Sequence, residues 1–128
     1  MNATSQTQTL GLMKPIVFCI PLLLSQIVIA DSREEKLLAG LAAMERQHYA
    51  TAMRAWSDLA EAGDPEAQHN IGYMYEEGLG VTQQYDVAME WYRRAADGGL
   101  AEAEHNLGMM YVDGRGVAKS WAQGLIYF

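Results

Sequence analysis

The chain is poor in cysteine and in positive charge. Its 128 residues include one cysteine, Cys19, and 9 Lys and Arg against 16 Asp and Glu, which gives a net charge of −7. A single cysteine excludes an internal disulfide framework. Phosphate binding requires clustered Lys and Arg, so the composition argues against nucleic acid as a partner. The negative charge instead favours solubility and long-range attraction of a basic partner.

Long apolar runs are also scarce, and the one run present lies at residues 15–30. It follows Lys14, is interrupted by polar residues and two prolines, and ends in Val28-Ile-Ala30 before a charged segment. A transmembrane anchor needs about 18 or more apolar residues. A cationic start, a short apolar core and small residues at the −3 and −1 positions are typical of a secretory signal peptide. Met13-Lys14 offers a second translation start besides Met1.

We therefore predict a signal peptide over residues 1–30, cleaved after Ala30, and a mature chain over residues 31–128 with no stable membrane span. Its location would be periplasmic or secreted in a bacterium. The mature chain retains 8 basic and 16 acidic side chains, a net charge of −8.

A fifteen-residue segment occurs twice. Residues 67–81 and 103–117 are identical at nine of fifteen positions when aligned at an offset of 36. Roughly one match is expected by chance. A period in the thirties is typical of units that each form one supersecondary piece and bury their apolar faces by stacking on their neighbours. The positions that we predict to carry the repeat structure are Ala67, Gly72, Tyr75, Gly78 and Gly80, with their equivalents Ala103, Gly108, Tyr111, Gly114 and Gly116.

Each repeat is predicted to hold two helices. Helix A spans residues 65–77 and helix B spans 84–97, because apolar residues recur in each at the 3.6-residue period. Asp64 is the predicted N-cap of helix A, whereas Leu100 holds the equivalent place in the second copy and predicts a weaker start. Gly72 and Gly108 lie inside helix A, where glycine costs up to ~1 kcal/mol relative to alanine. That repeated cost indicates a neighbouring helix that crosses too closely for a Cβ.

These spaced residues resemble the Sel-one-like (Sel1-like) repeat, a relative of the tetratricopeptide repeat. The resembling residues are Ala67, Gly72, Tyr75, Gly78, Gly80, Val81, Asp86, Ala88, Trp91-Tyr92, Ala95-Ala96 and Gly99. Residues 49–63 resemble helix B of a preceding unit that lacks the glycine loop. The resemblance implies an all-α fold, a right-handed α/α superhelix (solenoid) of antiparallel helix pairs that serves chiefly to hold other proteins. It divides the mature chain into an N-terminal helix pair (31–63), repeat 1 (64–99) and repeat 2 (100–128).

Repeat 2 departs from this pattern at its end. The sequence stops at the position of Trp91-Tyr92 and does not supply the Ala-Ala-x-x-Gly ending. Trp121, Leu125 and Tyr127 are therefore expected to form an apolar edge. Two interpretations stay open: an edge that self-associates or is completed by a second chain, and a truncated fragment of a longer repeat protein.

Glu66-Ala-Gln-His69 and Glu102-Ala-Glu-His105 both have the Glu-x-x-His spacing that places a carboxylate and an imidazole on one helix face. A metal-binding or enzymatic protein built on these pairs is the alternative hypothesis. Against it, repeat-equivalent helices lie side by side rather than facing each other, and glutamates in a first turn are explained by the helix dipole. We predict no catalytic residues, no metal and no cofactor.

The function predicted from the sequence is that of a non-catalytic, exported scaffold or adaptor. Exposed helix A residues would line a groove that binds a peptide or protein segment, preferably a basic one. The residues predicted to contact this partner are His69, Asn70, Tyr73, His105, Asn106 and Met109.

Overall fold

The computed structural model describes residues 32–128, which are helical except for the connections between helices. The predicted signal peptide and its cleavage site lie outside the described residues. The elements are α1 (32–45), α2 (Tyr49–Glu61), α3 (Pro65–Glu77), α4 (Tyr85–Asp97), α5 (Ala101–Asp113), α6 (Trp121–Gly124) and a 3-10 turn (Leu125–Tyr127). None of the helices within 32–128 is both long enough and apolar enough to span a bilayer.

Each helix from α2 to α6 packs on the next one along the chain, and the chain therefore stacks as consecutive helical hairpins. Within residues 32–128 there is no strand. This arrangement confirms the predicted all-α fold, an α/α superhelix. The hairpins are α1–α2, α3–α4 and α5–α6, so the A helices of the repeat are α1, α3 and α5.

The ends of helix A are set by local chemistry, as predicted. The Asp64 side chain accepts a hydrogen bond of 2.9 Å from the backbone N–H of Ala67, and Pro65 occupies the first helical position. The carboxylate thereby satisfies one of the unpaired N–H groups of the first turn. Leu100 provides no side-chain cap to α5. Gly78 and Gly114 end the two helices with φ of 68° and 73°, a left-handed conformation that glycine adopts without strain.

The glycines inside the A helices allow close packing of an aromatic ring. A Cβ on Gly72 would lie 2.8 Å from Tyr92 Cε1 and 3.3 Å from the Ala88 carbonyl oxygen. A Cβ on Gly108 would lie 2.7 Å from Phe128 Cζ. Tyr92 and Phe128 are themselves 36 residues apart, so the same ring-on-glycine contact recurs in successive hairpins. The close approach predicted from Gly72 and Gly108 is confirmed.

Two apolar clusters form the core. The first is built from α1, α2 and α3 around the buried residues Leu37, Ala43, Ala52, Trp56, Ala60, Ala67, Ile71 and Met74. The second is built from α4 and α5 around Ala88, Met89, Tyr92, Ala95, Ala103, Leu107 and Met110. Among the residues that the structure describes, Tyr75 packs against both clusters and is the one side chain common to them.

The end of repeat 2 differs from the prediction at one residue. Tyr127 does not belong to the apolar edge, because the 3-10 turn directs it back onto α5, where its ring stacks on Tyr111 at 5.8 Å between centroids. Trp121 and Leu125 are exposed as predicted, at 64% and 68%. The edge also contains two side chains that the sequence interpretation omitted, Ile126 and Phe128.

Candidate functional site

The predicted contact residues lie on two A helices, with His69, Asn70 and Tyr73 on α3 and their equivalents His105, Asn106 and Met109 on α5. We refer to the surface formed by α1, α3 and α5 as the A-helix face. A cavity of about 680 Å³, the α3–α5 cavity, opens on this face between α3 and α5. Its lining residues are His69, Tyr73, Glu76, Glu77, Ala101, Glu102, His105 and Asn106.

A second cavity, the α1–α3 cavity, adjoins the first and has a volume of about 310 Å³. It is lined by Leu41, Met44, Trp56, His69, Asn70 and Tyr73. His69 and Tyr73 line both cavities, so they form the wall between them. Tyr73 is 43% exposed, so part of its ring faces solvent at this wall.

The structure therefore brings together four of the six predicted contact residues: His69, Tyr73, His105 and Asn106 line one cavity. Asn70 lies in the wall of the neighbouring α1–α3 cavity instead. Met109 is exposed at the position equivalent to Tyr73 and lines neither of these two cavities. The sequence interpretation missed Leu41 and Met44 of α1, and also Glu76 and Glu77 at the end of α3.

His69 is a fixed part of this wall. Its Nε2 atom lies 3.0 Å from the side-chain nitrogen Nδ2 of Asn106, and its ring lies 5.4 Å from that of Tyr92. Because the amide nitrogen donates, the imidazole accepts at Nε2 and carries its proton on Nδ1. Burial lowers the pKa of His69 below its ordinary value of 6.5, against the opposing effects of a hydrogen bond to Asn70 and the charges of Glu102 and Glu76. His105 makes the equivalent ring contact with Phe128, at 5.3 Å.

This environment predicts that acid destabilises the domain through His69. As the pH falls below 6.5 the unfolded chain takes up the proton first, because the folded-state pKa is lower. The free energy of unfolding should therefore decline from pH 6.5 down to the folded-state pKa of His69. Urea denaturation at pH 8 and at lower pH values measures this decline, and His69→Gln should remove the part that His69 contributes. An NMR titration midpoint for His69 at or above 6.5 would contradict the prediction.

Glu76 anchors a polar network beneath the α3–α5 cavity. The Tyr92 hydroxyl donates to Glu76 Oε2 at 2.6 Å, and Arg115 Nη1 donates to Glu76 Oε1 at 2.6 Å. Arg115 also donates to Asp113 Oδ2 at 2.7 Å. Burial raises the pKa of Tyr92, and the bond to the Glu76 carboxylate raises it further. The network joins α3, α4 and the loop after α5, and it leaves Glu76 with a donor on each carboxylate oxygen.

The Glu-x-x-His pairs, Glu66 with His69 and Glu102 with His105, are not assembled into one ligand set. Within residues 32–128 no group of three or more His, Cys, Asp or Glu side chains is placed to hold a metal ion. His69 Nε2, the atom that would face such an ion, instead lies against the Asn106 amide.

Comparison with known proteins gives a consistent result. The profile of the Sel1 repeat matches residues 65–100 and 101–128. The chain is similar to the crystal structure of a Sel1 repeat protein from Oxalobacter formigenes, at 34% identity and a TM-score of 0.66 over 70% of this chain. It is also similar to a protective antigen present in uropathogenic Escherichia coli strains that displays an SLR fold, at 31% identity and a TM-score of 0.69 over 81% of this chain. The chain spans 37% and 23% of the lengths of these two structures. No curated protein matches it.

Proposed function

The chain belongs to the Sel1 repeat family, and from this premise we propose that it acts as a non-catalytic scaffold or adaptor that binds a peptide or protein segment on the A-helix face. Sel1 repeat proteins generally mediate protein–protein interactions. The observation that carries the proposal for this chain is Tyr73, an exposed aromatic side chain on the wall between two adjoining cavities.

The residues around Tyr73 suit recognition of a polypeptide. Exposed Tyr side chains are enriched among residues that dominate binding energy. The amides of Asn70 and Asn106 can donate and accept hydrogen bonds with a backbone, although both already contact His69. Met109, at 37% exposure, supplies an adaptable apolar surface beside them. These residues make up the contact set, together with His69 and His105.

A basic partner is part of this proposal. Two glutamates on the rim of the α3–α5 cavity, Glu77 and Glu102, are exposed. Among the ion pairs within residues 32–128, none includes either of them. A cationic segment would be drawn to this rim and to the net charge of −8 carried by residues 31–128.

We also propose that the protein is exported to the periplasm or secreted, supported by the signal-peptide pattern of residues 1–30. Self-association through the C-terminal edge is a further proposal. It is supported by the exposure of four apolar side chains there, Trp121, Leu125, Ile126 and Phe128.

Capture from an envelope extract tests the binding role. The wild-type chain is compared with Tyr73→Ala and Asn106→Ala, and Arg54→Ala on α2 serves as an exposed control away from the A helices. We expect Tyr73→Ala to weaken retention of specific partners by roughly tenfold or more, as truncation of a central aromatic contact does. Arg54→Ala should retain them. If the captured set is the same for all variants, the A-helix face is not the binding surface.

A further inference from the structure

We infer that the A-helix face selects an extended segment with one apolar and one basic side chain three residues apart. The apolar side chain enters the α1–α3 cavity and the basic one enters the α3–α5 cavity. This inference rests on the proposed function, since it specifies the segment that the face accepts.

The α1–α3 cavity suits an apolar side chain. Leu41, Met44 and Trp56 are three of its six lining residues, beside His69, Asn70 and Tyr73. The indole N–H of Trp56 already donates to the Leu37 carbonyl at 3.2 Å, so it offers no donor to a ligand. Leu41 is 48% exposed and gains burial when the cavity is filled. Filling the cavity with a Leu-sized side chain removes apolar surface from water, which favours binding.

The α3–α5 cavity suits the side chain of Arg or Lys. Ala101 and the ring of Tyr73 provide apolar surface for an aliphatic stem, while Glu77 and Glu102 place carboxylates at the rim. Glu76 is less available, because Tyr92 and Arg115 already occupy its oxygens. A guanidinium over the Tyr73 ring would add a cation–π contact. The same chain holds Arg94 over Trp91 in this way, at 4.7 Å from the ring centroid.

The shared wall of His69 and Tyr73 sets the spacing of the two side chains. The two cavities lie on the two sides of α3, and a helix with its side chains is about 10–12 Å across, so a step from one cavity to the other covers roughly that distance. One turn of polyproline II helix takes three residues at about 3.1 Å each, and it returns the side chain to the same side. In a β-strand, residues three apart point to opposite faces. Polyproline II segments also bind aromatic-lined grooves at low entropic cost.

Synthetic peptides test this inference on the full chain. We would titrate peptides of about ten residues with a Gly/Ser/Pro background, carrying Leu-x-x-Arg or Arg-x-x-Leu, into labelled protein and follow amide NMR shifts. The comparison peptides carry Leu-x-x-Glu, Ala-x-x-Arg, or Leu and Arg seven residues apart in an Ala-rich helix. We expect one order of the first pair to bind at least tenfold more tightly than every comparison peptide. We also expect the shifts to centre on Tyr73.

Charge variants of the protein complete the test. The double variant Glu77→Gln with Glu102→Gln should bind the Arg peptide less than about threefold more tightly than the Glu peptide. It should still bind the Leu peptide more tightly than the Ala peptide. The matched control is Glu61→Gln with Asp97→Asn, two exposed acids at the ends of α2 and α4, which should leave both preferences in place.

Three results overturn the inference: equal binding of the Arg and Glu peptides, tighter binding of the helical peptide, or no shift with any peptide at millimolar concentration. The binding role in the proposed function is tested separately, by partner capture with Tyr73→Ala, and of these three results equal binding of the Arg and Glu peptides would also count against its basic partner.

Discussion

Trp56→Ala is expected to lower the free energy of unfolding by about 3–5 kcal/mol, as truncation of a fully buried aromatic residue does. The Trp56 side chain is 1% exposed and packs over Gly40 between α1 and α2. Its removal leaves a cavity in the first apolar cluster and deprives the Leu37 carbonyl of its indole donor. Because a domain of this size has a total stability of only about 5–15 kcal/mol, much of it would be lost. Urea denaturation followed by circular dichroism measures the change.

Trp121→Ala is the matched control, because it makes the same substitution at a side chain that is 64% exposed. Its effect should stay within about 0.5 kcal/mol. Trp56→Phe should lie between the two, since it keeps most of the buried ring and loses the hydrogen bond. Equal losses at positions 56 and 121 would show that Trp56 does not support the core as described.

Glu76→Val alone is expected to lower the free energy of unfolding by about 2–3 kcal/mol. The double variant Glu76→Val with Tyr92→Phe is expected to lose much less. The single change leaves the buried Tyr92 hydroxyl without its acceptor, which costs about 1–3 kcal/mol. It also removes the bond from Arg115, whose contribution is reduced by water because that side chain is 38% exposed. Replacing both buried partners by apolar groups is close to neutral in other proteins.

Repeat 2 has apolar residues at both equivalent positions, Val112 and Phe128, and Phe128 packs on Gly108 as Tyr92 packs on Gly72. Phe128 is 60% exposed, whereas Tyr92 is buried. Because the double variant leaves no buried hydroxyl without its acceptor, we expect it to lie within about 1 kcal/mol of the wild type. A double-mutant cycle measures the coupling, with Asp113→Asn as a control that leaves Glu76 and Tyr92 unchanged. Additive losses in the double variant would refute the coupling.

Local signals explain why much of the fold was predictable. The ends of α3 follow from Asp64, Pro65 and Gly78, which act within one turn of the chain, and the repeat then transfers the same hairpin to α5. Glu76 carried no such signal. Its partners lie 16 and 39 residues away, and the equivalent residue is the apolar Val112. From the sequence alone, a glutamate near a helix end is interpreted as a surface residue, because only the folded structure brings such distant partners next to it.

The candidate site was predictable only where the period of 36 holds. His69 and His105 face the same cavity because equivalent positions lie on equivalent faces. The period fails at α1, because residues 46–48 connect α1 to α2 whereas residues 78–84 connect α3 to α4. The four missing residues shift the alignment to an offset of 32, at which Gly40 matches Gly72 and Leu41 matches Tyr73. For this reason, alignment at an offset of 36 did not show that α1 contributes to the A-helix face.

The position of Tyr75 has a consequence for cooperativity. Within residues 32–128 this ring is the side chain that the two clusters have in common, and the same contact of α3 with α4 also packs Tyr92 on Gly72 and bonds it to Glu76. The two clusters are therefore joined across α3 and α4, and we expect local opening to begin at the exposed α6 rather than between them. A ligand that reaches from α1 to α5 would add a further link across this contact, and its binding would stabilise the stack as one unit.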